Sequence, residues 1–263
     1  MIWQRLLTAF FGVPLILIIF YLGGIPLLLF SIAIVLIGLY EFFDLMGRME
    51  FTPVFLTGYI VSIFILLGTY YNLRSYLGLF LWLVILLFFW HFIAEFPRVT
   101  LQDIGVTLLG VYYVAGLYSY LLWVRFHLAG GLTWALLVLL LTWTNDTASF
   151  FLGTRFGKKR LCPRLSPKKS VEGAFGGLIF TVFLALVFAG FTGAGYGQMA
   201  LLGVLAAALG TTGDLIESAL KRSAHTKDSG TFLPGHGGVL DRLDSLLLVA
   251  PLVYYYLQLF KLS

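Results

Sequence analysis

From Leu6 to Tyr40 the chain carries no Asp, Glu, Lys or Arg. An uncharged apolar run of that length exceeds one helix across ~30 Å of hydrocarbon, which takes about 20 residues. Gly23-Gly24 and Pro26 divide it into two spans, the second ending near Met46. Uncharged windows recur at Phe51–Leu73, Ser75–Ala94, Ile104–Val124 and Phe126–Asn145. Gly173–Gly213 is a double span, interrupted around Gly193, Gly195 and Gly197, and a last helix is expected from about Val239 to Phe260. The expected total is about nine transmembrane helices. With 60% hydrophobic and 11% charged residues, and a mean hydropathy of +0.97, polar side chains cannot cover a water-facing surface. Lipid must be the solvent. Period-two alternation is absent, which argues against a membrane β-barrel. The expected fold is all-α, a polytopic integral membrane protein.

The first span starts within a few residues of Met1, lacks a small-residue cleavage site and is followed at once by a second apolar segment. It is expected to be retained rather than removed as a signal peptide. Orientation follows from the 17 Lys and Arg. With a cytoplasmic N-terminus, 14 of them fall inside, among them the seven between Arg155 and Lys169, and only Arg74, Arg125 and Lys261 fall outside. The bias predicts N-in and C-out, with both long polar loops in the cytoplasm. The single cysteine, Cys162, lies in one of these loops, so an intrachain disulfide is excluded and a zinc site is not expected.

Polar chemistry is unevenly distributed. Residues 1–141 read as a scaffold of transmembrane helices giving lipid access and dimer contacts, and residues 142–263 as a catalytic membrane region. In the first part, Glu41 and Asp44 share a helical face at i, i+3. Arg48 follows closely, which favours headgroup positions for both acids. From Trp143 the character changes: Thr144, Asn145, Asp146 and Thr147 are expected to close the sixth helix, with a loop of about 20 residues after it.

Within that loop, Ser166-Pro-Lys168-Lys169-Ser170-Val-Glu172-Gly173 reads in two ways. It is a basic belt drawn to anionic lipid, or a built phosphate site in which Ser170 caps the next helix and Glu172 sits at its positive end. Gly173 and Gly177, four apart, present a small face for close helix contact.

The second polar region is sharper. Asp214, Glu217, Ser218 and Lys221 fall on one helical face, and Asp241 and Asp244 are again i, i+3 at the start of the final helix. Two spaced pairs of carboxylates joined by a glycine-rich turn can converge on a divalent cation. Hard oxygen donors without cysteine favour Mg²⁺ over zinc, with a second cation as an option. The Pro234-Gly-His236-Gly-Gly238 turn strips away side chains so that backbone amides can approach a phosphate. Solvated ion pairing, Lys221 with Glu217 and Arg222 with Asp228, is the plainer reading of the charges.

Ser218-x-x-Lys221-Arg222, Lys227-Asp228 and Pro234-Gly-His236-Gly-Gly-x-x-Asp241-Arg242-x-Asp244 together resemble the signature of the phosphatidate cytidylyltransferases, also called CDP-diacylglycerol synthases. Asp146, Gly153, Gly157-Lys158 and Ser166-Pro-Lys168-Lys169-Ser170-x-Glu172-Gly173 resemble that family's second block. The motif match spans roughly residues 142–245. The resemblance implies that phosphatidic acid attacks the α-phosphorus of CTP, giving CDP-diacylglycerol and pyrophosphate for phospholipid biosynthesis. It implies Asp214 and Asp241 as principal Mg²⁺ ligands, with Asp244 and Asp146 beside them or on a second cation. Lys221, Arg222 and Lys227 would hold the triphosphate. Lys168 and Lys169 would receive the lipid phosphate, and Ser166, Ser170, Glu172 and His236 would orient substrates, with Ser218, Asp228 and Arg242 in the same binding region. It further implies a homodimer in a bacterial inner membrane, an active site on the cytoplasmic side and no nucleic-acid partner. Two other readings share some features. A CTP-dependent polyprenol or dolichol kinase would need a base for a lipid hydroxyl. An ion transporter would place charges near helix centres, often in repeated halves, and no internal repeat is seen.

Overall fold

Backbone amides and carbonyls inside lipid must be satisfied within their own segment, and for apolar runs of this length that means helices. The computed structural model describes residues 2–230, 232 and 237–262, with side chains from Phe10 onward. The helices are α1 (Ile2–Leu22), α2 (Gly24–Gly47), α3 (Phe55–Tyr70), α4 (Leu77–Ala94), α5 (Leu101–Val111), α6 (Leu117–His127), α7 (Gly131–Phe156), α8 (Val171–Thr192), α9 (Tyr196–Ser223) and α10 (Leu240–Leu259). A π-helical turn, Tyr112–Gly116, joins α5 and α6 into one continuous rod. The described residues therefore form nine helical rods, as expected for an all-α membrane protein. Six are long and apolar enough to cross a bilayer, and Phe10–Leu22 and Phe55–Tyr70 are shorter apolar helices.

Most boundaries fall where glycine or a cap dictates. Gly23 and Gly24 both take positive φ, 61° and 50°, and break α1 from α2. Thr100 opens α5 with a reciprocal capping box to Asp103. The sixth rod departs from expectation. It begins at Gly131, after Gly130 in the left-handed region, and runs on through Asp146 to Phe156 instead of closing near Asn145. Hydropathy marks where lipid contact ends, not where hydrogen bonding ends, and no proline interrupts residues 146–156. The loop after it is also shorter and more ordered than expected. Arg160–Cys162 (β1) and Ser166–Ser170 (β2) pair antiparallel, with Arg160 opposite Ser170 and Cys162 opposite Ser166.

Helices α7 to α10 pack in sequence, and glycines set how closely. A Cβ on Gly173 would meet the Ser149 carbonyl at 2.7 Å and the Gly153 Cα at 3.0 Å, so α7 and α8 cross backbone to backbone. Gly177 sits equally close to Asn145 and Ser149. On α9, a Cβ at Gly213 would strike the Asp244 carbonyl of α10. Helix α4 differs, burying only Val84 and Phe88 and leaving the rest of its surface for lipid.

Candidate active site

The close approach at Gly213 has a direct consequence. Asp214, the next residue of α9, and Glu217, one turn on, come up against Asp244 on α10, and one ligand oxygen from each of the three lies within 4.8 Å of the others. Glu217 is 1% exposed and Asp244 8%, a degree of burial that carboxylates accept only with compensating charge. Part of that charge is visible. Lys221, one turn beyond Glu217, places its ammonium 2.6 Å from Glu217 Oε2 and 2.5 Å from Asp241 Oδ1. Lys169 reaches in from β2 to pair with Asp214. Glu217 Oε1 remains buried without a hydrogen-bond partner among the described residues.

Asp146 joins from α7. Ser245 Oγ lies 3.2 Å from Asp146 Oδ1 and 3.0 Å from the Gly210 carbonyl, so its one proton serves one of them at a time. The residue lies on the exposed side of α7. Beside it, Trp143, Thr144, Thr147, Phe151, Leu152 and Phe180 line an apolar groove of about 420 Å³ between α7 and α8.

Asp241 adjoins the acidic trio by sharing the Lys221 ammonium with Glu217. Its Oδ1 takes Lys221, and its Oδ2 accepts from the Gly238 amide at 2.8 Å and the Ser229 amide at 3.1 Å. The carboxylate thus ties the start of α10 to Ser229 and Gly238. Asp214 and Asp244, two of the three expected metal ligands, lie within 4.8 Å of Glu217, while the third, Asp241, meets this group through Lys221. Glu217 was visible in the sequence on the same helical face as Asp214, and its burial decides its place.

The hairpin residues divide by face. Neighbouring positions on a strand point oppositely, so Lys169 turns towards Asp214 while Lys168 is exposed and its carbonyl accepts from Arg160. Ser170 is buried and caps α8, accepting from the Gly173 amide at 3.1 Å. Glu172 accepts from the Lys158 and Lys159 amides at 3.0 and 3.2 Å and so fixes the turn out of α7. Ser166 is half-buried at the far end of β2. Ser218 is half-buried on α9. Arg222, exposed, donates to the carbonyls of Leu165 and Thr226, both at 3.4 Å, rather than to Asp228. Lys227, Asp228 and Arg242 are exposed at the same end of the bundle. His236 lies outside the described residues.

Glu41 corrects the headgroup expectation. Asp44 is half-buried and pairs with Arg48 at 2.8 Å, but Glu41 is 3% exposed and bonded to the start of α10, far away in sequence.

Residues 3–260 match the cytidylyltransferase family. The chain belongs to this family. Cytidylyltransferase relatives extend over nearly the full length: the phosphatidate cytidylyltransferase of Bacillus subtilis (strain 168) is 33% identical over 268 residues, covering 98% of each chain. That of Synechocystis sp. (strain ATCC 27184 / PCC 6803 / Kazusa) is 33% identical over 290 residues, covering 97% of this chain and 96% of its own. The Haemophilus influenzae (strain ATCC 51907 / DSM 11121 / KW20 / Rd) enzyme of the same name is 42% identical over 132 residues, about half of each chain. Among the described residues, Asp214, Glu217 and Asp244 are the acidic group close enough to share one metal ion, and Lys169 and Lys221 flank them.

Proposed function

We propose that this chain transfers the cytidylyl group of CTP to phosphatidic acid, releasing pyrophosphate and leaving CDP-diacylglycerol in the membrane. The observation that carries the proposal is the convergence of Asp214, Glu217 and Asp244 beside Lys169 and Lys221, at the end of the bundle where the basic hairpin lies. In the reaction a phosphate oxygen of the lipid bonds to the α-phosphorus, and the bond from that phosphorus to the bridging oxygen breaks, its electron pair leaving with pyrophosphate. The lipid phosphate is already anionic, so no side chain has to remove a proton. What remains for the protein is positioning and neutralising charge.

The donor set fits Mg²⁺: three carboxylates, no cysteine or histidine among them, and one buried oxygen, Glu217 Oε1, without a partner among the described residues. Asp214, Glu217 and Asp244 would hold the cation, with Asp146 at the edge, and bound Mg²⁺ would offset triphosphate charge. Lys221 sits between two buried carboxylates, Glu217 and Asp241, and holds them in place. Lys169, on the hairpin side, is the ammonium best placed for an incoming phosphate once substrate competes with Asp214. Lys168, Arg222, Lys227 and Arg242 form the outer positive rim. The apolar groove beside Asp146 suits acyl chains entering from the bilayer.

The basic bias of these loops supports a reaction on the cytoplasmic side, where CTP is available, and the bacterial relatives support a bacterial inner membrane as its setting. A homodimer is part of the same proposal, on the family resemblance. The test is purified protein in detergent with Mg²⁺, α-labelled CTP and either phosphatidic acid or a polyprenol. Label should move into lipid only with phosphatidic acid, together with pyrophosphate. Labelled CDP formed only with the polyprenol would replace the reading with a kinase.

A further inference from the structure

Glu41 lies on α2, in the part of the chain whose sequence reads as scaffold, and every described bond it makes is to the region that carries the acidic residues. Its Oε1 accepts from the Val239 amide at 3.0 Å, and its Oε2 from the Leu240 amide at 2.7 Å and the Ser229 hydroxyl at 3.2 Å. The two amides belong to the opening of α10, where N–H groups have no partner within the helix. No side chain of α10's own cap residue, Val239, can serve them. A carboxylate at this end is also favoured by the helix dipole.

The neck of the loop is held from the other side by Asp241, which takes the amides of Ser229 and Gly238. Ser229 therefore gives its amide to one carboxylate and its hydroxyl to the other. Close packing reserves the space: a Cβ at Gly230 or Gly238 would run into the Glu41 carboxylate. From Asp241 the line of contacts continues to Lys221 and then to Glu217 of the acidic trio.

We infer that Glu41 is a positioning residue for cytidylyl transfer: it fixes the neck formed by Ser229 and residues 238–240, and through Asp241 and Lys221 sets the placement of Glu217. The inference rests on the function proposed above. Glu41 is buried beneath the neck and does not touch substrate. Its loss therefore acts on the rate of the bound complex more than on binding.

The experiment compares Glu41→Gln, Glu41→Asp and Asp44→Asn with wild type. It measures kcat, KM for CTP and for phosphatidic acid, thermal unfolding in detergent, and hydrogen exchange of the Val239 and Leu240 amides. Gln keeps the shape but turns a donor towards donors. Glu41→Gln should lower kcat by ~10²-fold, the effect of a displacement of about 1 Å at a reacting centre, with both KM values changed by less than about threefold. Exchange at Val239 and Leu240 should rise while the rest of α10 stays protected. Asp, one methylene shorter with the charge kept, should recover part of kcat, and Asp44→Asn should match wild type. A folded Glu41→Gln protein with wild-type kcat overturns the positioning role, as does a kcat loss without faster exchange at those two amides. If Glu41→Gln does not fold, the same readings are taken on Glu41→Asp, where wild-type kcat and exchange overturn the inference. An inactive wild-type chain overturns the functional reading and this role with it, whereas an active wild type beside unaffected Glu41 variants overturns this role alone.

Discussion

Two aspartates only three positions apart, Asp241 and Asp244, do different work because neighbouring elements reach them differently. Asp244 faces Asp214 and Glu217, while both oxygens of Asp241 are engaged by Lys221, Ser229 and Gly238. Asp244→Asn should therefore raise the Mg²⁺ concentration needed for half-maximal rate by at least the ~10–100-fold that lost outer partners of a metal site typically cost. Asp241→Asn should cut turnover with little change in Mg²⁺ requirement. Titrating each variant with Mg²⁺ separates the two, and an equal shift in both would return Asp241 to the metal set. Lys221 is the keystone of charge. Its side chain is 14% exposed, against 1% for Glu217 and 8% for Asp241. Lys221→Met strands two buried carboxylates, a kind of loss that costs about 3–5 kcal/mol. Unfolding in detergent should show most of that cost, and Lys221→Met combined with Glu217→Gln should recover part of it. A single variant as stable as wild type would mean that the pairs are solvated.

At the scale of elements, helix contact rather than hydropathy sets the site. Gly213 lets α9 touch the α10 backbone at Asp244, and Gly173 and Gly177 let α8 lie on α7. Gly177→Leu should overpack that crossing, costing about 1–3 kcal/mol. It should also lower activity by moving Asn145 away from Thr211 and Asp146 away from Ser245, whereas Gly78→Leu, with open space around its Cα, should do neither. Equal stability and activity for the two variants would dismiss the crossing as a determinant of the site. The same contacts explain what could be read in the sequence. The nine rods, the cap at Ser170 and the close glycine face on α8 follow from local rules of charge, capping and size, and the structure bears them out. The run of α7 past Asp146 was hidden, because a polar helix packed on another helix looks like a loop to a hydropathy argument. Glu41 was hidden for a related reason. An acid near a helix end, with Asp44 one turn on and Arg48 after it, carries no local mark of the amides it meets at Val239 and Leu240, nearly 200 residues later.

Across the whole molecule, the helix ends that carry polar chemistry gather at one end of the bundle. The C-terminal ends of α2, α7 and α9 meet the N-terminal ends of α8 and α10 there, as the bonds from Glu41 to Leu240, Lys221 to Asp241 and the Ser170 cap beside Gly153 require. The opposite end holds Arg74 over Trp123 and Tyr254, and Arg125 on the last carbonyls of α1. That separation does not suit an ion path, which would need charges strung through the middle of the bundle. It suits chemistry at one face, with lipid arriving from the side and nucleotide from water. Which face it is can be tested: the end bearing the chemistry is rich in Lys and Arg, and basic loops favour the cytoplasmic side, as the proposed function expects. The chain offers its own probe, because Cys162 is its single cysteine, lies in the hairpin at that end and is free and half-buried. A membrane-impermeant maleimide should modify Cys162 in inside-out vesicles and leave it unmodified in right-side-out ones, while a permeant maleimide should reach it in both. Adding CTP with Mg²⁺ should slow the reaction in inside-out vesicles only, since Cys162 pairs across the hairpin with Ser166 and the same strand carries Lys169. Labelling from the outside would invert the orientation and put the proposed site beyond the reach of cytoplasmic CTP.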